Sequence, residues 1–223
     1  MSIAAFFDVD GTVLAKSSGP LYLKHLVQEG RISRADLMRG MWWYLLYRLG
    51  RLNWEKISFK MTARFEGDSE EDMIRDCDKW YADKVRRHVR PEMVDAMTEH
   101  RKQGHKILLL TAVTIYLARP LGQDLGVDDY ICNRLEVKDG KFTGRLVEPT
   151  CYGDGKVLLA KKFTEENDIS LSESYFYTDS VTDLPVLEQI GNPVVVNPDP
   201  ILRREARRRS WPVYDYADPV SRE

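Results

Sequence analysis

Cysteine is scarce in this 223-residue chain, which carries only Cys77, Cys132 and Cys151. An odd number with no C-x-x-C spacing excludes a disulfide framework and fits core thiols in a reducing compartment. The four histidines, His25, His88, His100 and His105, are scattered, so no zinc pattern forms either. Long apolar runs are missing: none approaches the roughly 20 residues that span a bilayer. The first residues lack a basic segment followed by a cleavable apolar stretch. Excess charge is missing too, since the formal net charge is −2, and nothing in that balance points to nucleic acid. No internal repeat or low-complexity linker occurs. What remains, 43% hydrophobic and 30% charged residues, is the composition of a globular protein, expected to be cytoplasmic. The length allows one sizeable domain, or a domain with an insertion.

Against that background stands Asp8-Val9-Asp10-Gly11-Thr12-Val13-Leu14, directly after the apolar run Ile3 to Phe7. Such a run ending in D-x-D-G-T predicts a buried strand emptying into a tight loop. Two carboxylates two residues apart at a strand end repel each other and resist dehydration, so something positive must compensate them. A divalent cation is the simplest compensation. In its presence one carboxylate can attack phosphorus while its neighbour handles protons.

Further strands are expected at Lys106 to Leu110, Tyr175 to Tyr177 and Pro193 to Val196. Helices are expected at Pro91 to Gln103, Val157 to Glu166 and Thr182 to Gln189, with Gly104 as a helix stop. The alternation predicts an α/β fold with a Rossmann-like parallel sheet covered on both faces. Ligands then gather at the carboxyl ends of the strands. Two stretches break the alternation. Residues from about 17 to 88 hold no good strand and read as an inserted helical cap domain, leaving 1–16 and 89–223 as the core domain. Leu135 to Leu146, centred on Asp139-Gly140, reads as a small β-hairpin.

The remaining polar candidates also follow strands. Thr111 comes after Leu108-Leu109-Leu110, and Lys156 sits in Gly153-Asp154-Gly155-Lys156 ahead of a helix. Asp179 and Asp183 lie four apart in Thr178-Asp179-Ser180-Val181-Thr182-Asp183-Leu184-Pro185, where each alone could be a helix cap.

In this order the four elements resemble the haloacid dehalogenase superfamily of aspartate-nucleophile phosphohydrolases. Residues 8–14 match its first motif, Thr111 its second, Lys156 its third and the segment from Asp179 to Pro185 its fourth. The helical insert after the first motif is similar to the cap of the phosphoserine phosphatase-like branch. The resemblance implies a phosphatase with Asp8 as nucleophile and Asp10 as general acid and base. It implies Mg²⁺ held by Asp8, the carbonyl of Asp10 and Asp179, with Asp183 supporting that shell. Thr111, Lys156 and the amide of Gly11 would bind the phosphoryl oxygens. The implied partner is a small-molecule phosphomonoester, bound by a monomer or homodimer.

Substrate choice should come from the insert. Phosphoserine phosphatases of this branch carry a glutamate shortly after the first motif, whereas Ala15-Lys16-Ser17-Ser18-Gly19-Pro20 has no acidic residue. Met41-Trp42-Trp43-Tyr44-Leu45-Leu46-Tyr47 is too apolar for a simple surface helix. It reads as cap core with a possible dimer contact, as an aromatic-lined pocket, or as a lip meeting lipid. Arg39, Arg48 and Arg51 around it read as solvated, with an anionic substrate or membrane surface the lesser alternative. Arg203, Arg204, Arg207, Arg208 and Arg209 near the end read as a solvated helix face, with a phospholipid headgroup the lesser alternative. An amino-alcohol phosphate such as histidinol phosphate and a lipid-derived phosphate both remain open. So do two other classes: a non-hydrolytic receiver-like phosphate-responsive module and a membrane-associating scaffold.

Overall fold

The computed structural model describes residues 1–48 and 61–222. The chain enters β1 (Ala4–Phe7), then α1 (Ser18–Gln28), α2 (Arg34–Arg48) and α3 (Glu70–Trp80), which passes through a π-helical turn at Tyr81–Val85. Next come α4 (Pro91–Lys102), β2 (Lys106–Thr114), α5 (Ile115–Leu125) and β3 (Asp129–Asn133). The hairpin follows as β4 (Leu135–Lys138) and β5 (Lys141–Leu146), then α6 (Asp154–Glu166) and β6 (Tyr175–Thr178). The last elements are α7 (Leu184–Leu187), β7 (Asn192–Val196), α8 (Pro200–Arg208) and β8 (Val213–Tyr214).

Six strands form one sheet in the order β3-β2-β1-β6-β7-β8, every pairing parallel. Successive side chains of a strand point to opposite faces, and here both faces are covered. Phe7, Ile107 and Leu109 pack with Met93 and Met97 of α4 and Leu117 and Leu121 of α5. Phe6, Leu108, Leu110 and Phe176 pack on the other side with Ala160 of α6 and Leu202 and Ala206 of α8. The strand order reverses at β1, whose neighbours are β2 and β6. A crevice therefore opens beyond the carboxyl ends of β1 and β6.

The four expected strands are present, and Gly104 has the positive φ of +77° that a helix stop requires. Four local expectations change. The strand from Lys106 runs on to Thr114, because the chain re-pairs with β3 past an irregularity between Leu110 and Thr114. Thr111 thus lies within β2 rather than beyond it. The helix expected from Val157 begins at Asp154, so Lys156 sits in its first turn. The helix expected over Thr182 to Gln189 divides into a 3₁₀ turn, Val181–Asp183, and the four-residue α7, with Pro185 in its first turn.

Three elements were not anticipated: α5, β3 and the two-residue β8. Pro120 lies inside α5 and disguises its helical pattern. β3 opens with two polar residues, and β8 pairs only through Val213 and Tyr214.

Between β1 and α4 the described residues are helical or turn, apart from single bridges. The hairpin is tied to this helical region. The Gly67 amide donates to the Phe142 carbonyl at 2.9 Å, Phe142 N–H to Asp68 at 3.0 Å, and Glu70 N–H to Gly140 at 3.0 Å. Met73 and Cys77 of α3, Tyr116 of α5, and Leu135, Phe142 and Leu146 share a small core of their own.

Of the aromatic run, Trp42 is 58% exposed, as is Met38 one turn earlier at 69%, so this face of α2 is not cap core in the single chain. The side chains of Tyr44, Leu45, Tyr47 and Arg48 lie outside the described residues, and so does Arg51. Arg39 pairs with Asp36 of its own helix. Arg203, Arg208 and Arg209 pair with Asp215, Glu205 and Glu188 on the surface, as expected of solvated arginines. All three cysteines are free and buried. Among the described residues no helix is long and apolar enough to cross a membrane.

Candidate active site

β1 is fully buried, and its backbone delivers Asp8 to the sheet's edge with its amide donating to the Tyr177 carbonyl at 2.9 Å. The chain then turns sharply. Leu14 N–H donates to the Val9 carbonyl at 2.8 Å, and Gly11 takes a φ of +83°. A glycine is required here twice over. The left-handed backbone disfavours a side chain, and a Cβ on Gly11 would stand 2.2 Å from Asp179 Oδ2. The missing side chain is what lets Asp179, at the end of β6, close over the first loop.

Lys156 sits at the centre. Its ammonium donates to Asp8 Oδ1 at 2.9 Å and to Asp183 Oδ1 at 2.8 Å, with its side chain 2% exposed. The Phe176 ring lies beneath it at 5.1 Å. Asp183 is fixed from its other side by Thr178, whose hydroxyl donates to Oδ2 at 2.6 Å. Asp10 accepts from the Ser18 amide at 2.8 Å and from the Ser18 hydroxyl at 3.0 Å. Thr111 is buried one strand over, two residues beyond Leu109, the register partner of Phe7. Its Oγ1 accepts from Val113 N–H at 3.3 Å.

The fold therefore joins Asp8, Lys156 and Asp183 directly and sets Asp179 against Gly11. Asp10 stands two residues from Asp8, and Thr111 is carried on the neighbouring strand. Four supporting residues escaped the sequence reading. Ser18 and Thr178 hold carboxylates. Asn133 donates to the Ala112 carbonyl at 2.6 Å and accepts from the Cys151 amide at 2.7 Å, linking the last part of β2 to the approach to α6. Asp199 accepts from Val181 N–H at 2.6 Å, while its amide donates to the Asp179 carbonyl at 2.9 Å. Of these only Asp199 carries a local signal that could have found it, since an aspartate directly before a proline is a common helix N-cap.

Charge is out of balance in this pocket. Burial pushes the Asp8 carboxyl up to about 7, with Lys156 offsetting part of the effect and Asp183 adding to it. Burial raises Asp10 to about 6 against the two Ser18 hydrogen bonds. Burial works against the Lys156 ammonium as well, yet Asp183 and Asp8 overcome it and raise its pKa. Lys156 thus answers two carboxylates, Asp8 and Asp183, while Asp10 and Asp179 lie on the loops beside them, and the donors are all oxygen, which suits a hard divalent cation. Among the described residues no three His, Cys, Asp or Glu side chains converge as a metal cluster. A cation here would use carboxylates together with a main-chain carbonyl and water, a donor set that fits Mg²⁺.

Comparison with known proteins agrees with this geometry. The family model of haloacid dehalogenase-like hydrolases matches residues 5–188. The chain is 33% identical over 221 residues to the inhibition of morphological differentiation protein of Streptomyces azureus, covering 97% of this chain and 79% of that one. It is 26% identical to a histidinol-phosphatase of Neisseria meningitidis, covering 97% of this chain and 100% of the relative. A phosphoserine phosphatase of Mycobacterium tuberculosis is 28% identical, with 97% of this chain and 71% of that one covered. A crystal structure from Bordetella pertussis superposes with a TM-score of 0.88 at 29% identity, covering 96% of this chain and 99% of that chain. A substrate-bound phosphoserine phosphatase shares the fold, with a TM-score of 0.71 at 16% identity over 100% of this chain and 96% of that one. These relationships decide for an enzyme over the receiver-like and scaffolding alternatives. With the ordered strand-end residues and the lysine-bridged carboxylates, they place the chain in the haloacid dehalogenase-like hydrolase family, as one of its phosphatases.

Proposed function

We propose that the chain is a Mg²⁺-dependent phosphomonoesterase of small organic phosphates that works through an aspartyl-phosphate on Asp8. The observation that carries this reading is the Lys156 ammonium, bonded to Asp8 Oδ1 at 2.9 Å and Asp183 Oδ1 at 2.8 Å, with Asp10 two residues away. Lys156 occupies Oδ1 of Asp8, which leaves Oδ2 to attack phosphorus. As the Oδ2–P bond forms, the bond to the leaving oxygen breaks, and Asp10 gives that oxygen its proton. Water then attacks phosphorus and yields a proton to Asp10. The bond to Asp8 breaks, releasing inorganic phosphate and restoring both carboxyl groups. Burial suits Asp10 to this exchange, since a carboxyl near 6 can both give and take a proton close to neutral pH.

Phosphatases of this family in general use Mg²⁺. Asp8, the main-chain carbonyl of Asp10 and Asp179 would hold it, with Asp183 supporting them. When bound, the ion supplies positive charge toward the phosphoryl oxygens. Lys156, Thr111 and the Gly11 amide are the protein's own donors to those oxygens. Residues 17–88 act as the cap and 1–16 with 89–223 as the core. Relatives named for histidinol phosphate and phosphoserine support an amino-alcohol or amino-acid phosphate as substrate. The absence of an acidic residue between Ala15 and Pro20 favours the former. Three buried free thiols support a cytoplasmic setting.

Asp8→Asn keeps the shape and removes the nucleophile. Turnover of 4-nitrophenyl phosphate should vanish while the circular dichroism spectrum is unchanged, and undiminished turnover would remove Asp8 from this role. Phosphate release from amino-alcohol, amino-acid, sugar, nucleotide and lysolipid phosphates, compared at equal concentration, ranks the substrate classes.

A further inference from the structure

Asp10 is gripped from outside the core sheet. Ser18 is the first residue of α1 and is 8% exposed. Its backbone amide meets Asp10 Oδ1 at 2.8 Å while its hydroxyl meets Oδ2 at 3.0 Å. An aspartate carboxyl otherwise turns broadly about its last torsion, so two donors on two oxygens fix a plane that the side chain alone would not hold. The amide also belongs to the positive end of an 11-residue helix, which favours an anion there.

The start of α1 is itself anchored to the core. Ala15 N–H donates to the His88 carbonyl at 2.9 Å, and Arg90 N–H to the Val13 carbonyl at 2.9 Å. The two chain crossings between the core and the helical region are thereby zipped together immediately before Ser18.

We propose that Ser18 is a positioning residue for proton transfer, setting the orientation of the Asp10 carboxyl from the first turn of the cap. This inference rests on the reading of Asp10 as acid and base. The amide holds Oδ1 throughout, so the mobile proton resides on Oδ2. The serine hydroxyl donates to Oδ2 in either protonation state, since a protonated carboxyl oxygen still accepts. Oδ2–H then stays free to point at the leaving oxygen and pass its proton there. When water returns a proton to Oδ2, the hydroxyl keeps its place.

The position allows an unusual test. Ser17 has φ −70° and ψ 132°, the extended backbone that must precede proline, and Ser18 is the first helical residue, where proline is tolerated. Ser18→Ala removes the hydroxyl bond, and Ser18→Pro removes the amide bond as well. Each is assayed with phenyl phosphate, whose leaving oxygen needs a proton, and with dinitrophenyl phosphate, whose leaving group departs as an anion. Asp10→Asn is measured beside them.

The kcat/KM for phenyl phosphate should fall about 10-fold in Ser18→Ala and about 100-fold in Ser18→Pro, the scale of a displaced acid, while dinitrophenyl phosphate stays within about 3-fold. An equal loss on both substrates, or no loss on either, overturns the proposal. If Ser18→Pro loses its helical circular dichroism, Ser18→Ala alone decides. If Asp10→Asn itself fails to discriminate between the two substrates, the acid–base reading falls and takes this inference with it. If Asp10→Asn discriminates and the Ser18 variants do not, only the inference falls.

Discussion

Lys156 illustrates how much a single residue depends on its surroundings. In the sequence it is one lysine near a helix start, where such residues are usually solvated. In the fold its ammonium is enclosed between Asp8 and Asp183 and can leave neither without stranding a buried charge. Lys156→Met fills much the same space without charge. Removing one partner from a buried ionic cluster costs about 3–5 kcal/mol, and that loss is expected in urea unfolding at pH 7.5. The sign of its pH dependence follows from Asp8, already raised to about 7. A carboxyl whose folded pKa is raised binds protons more readily folded than unfolded, so its contribution to stability grows as pH falls through that value. The deficit of Lys156→Met should therefore shrink at pH 5.5. An equal deficit at both pH values would show that packing, not charge, is what Lys156 supplies.

Among the elements, the helix termini organise the site. Asp199 caps α8, its Oδ1 accepting from Ile201 N–H at 2.8 Å and Leu202 N–H at 2.9 Å. Its Oδ2 and amide reach back to Val181 N–H and the Asp179 carbonyl. A cap and the loop bearing Asp179 are thus one structure. Asp199→Ala should cost about 1 kcal/mol as a lost N-cap. It should also raise the Mg²⁺ concentration for half-maximal activity by about 10-fold, as residues behind ligands do. The kcat at saturating Mg²⁺ should stay near the parent value. An unchanged Mg²⁺ requirement would confine Asp199 to capping. The contact of Asp199 to Asp179 is invisible in the sequence, because 20 residues separate two loops that adjacent strands bring together.

At the scale of the molecule, the reversal of strand order at β1 gathers the carboxylates into one crevice with a single lysine. That shortage of positive charge predicts a linked response to metal and proton. Mg²⁺ would bind the deprotonated Asp8 carboxylate, so below about 7 it would compete with protons there. Saturating Mg²⁺ should raise the melting temperature at pH 8, where a ligand at 100 times its Kd contributes about 2.7 kcal/mol. The increment should fall at pH 5.5, because the metal-free protein is then relieved by protonation. Equal increments at both pH values, or none at either, would contradict a carboxylate-held cation.

Local pattern was enough for the α/β alternation, the strands at Ala4, Lys106, Tyr175 and Asn192, the hairpin and the choice of six candidate polar side chains. Those features are local: an apolar run of strand length, a helix stop at Gly104, an Asp-Gly turn, a motif in fixed order. Tertiary structure decided the rest. It continued Thr111 into a longer strand through pairing with β3, and it turned Trp42 outward. It also enlisted Ser18, Thr178, Asn133 and Asp199, each an ordinary polar residue in its own segment. Their roles arise from hydrogen bonds across strand ends distant in the chain. Periodicity records which face of an element is apolar, but not which buried polar groups it meets.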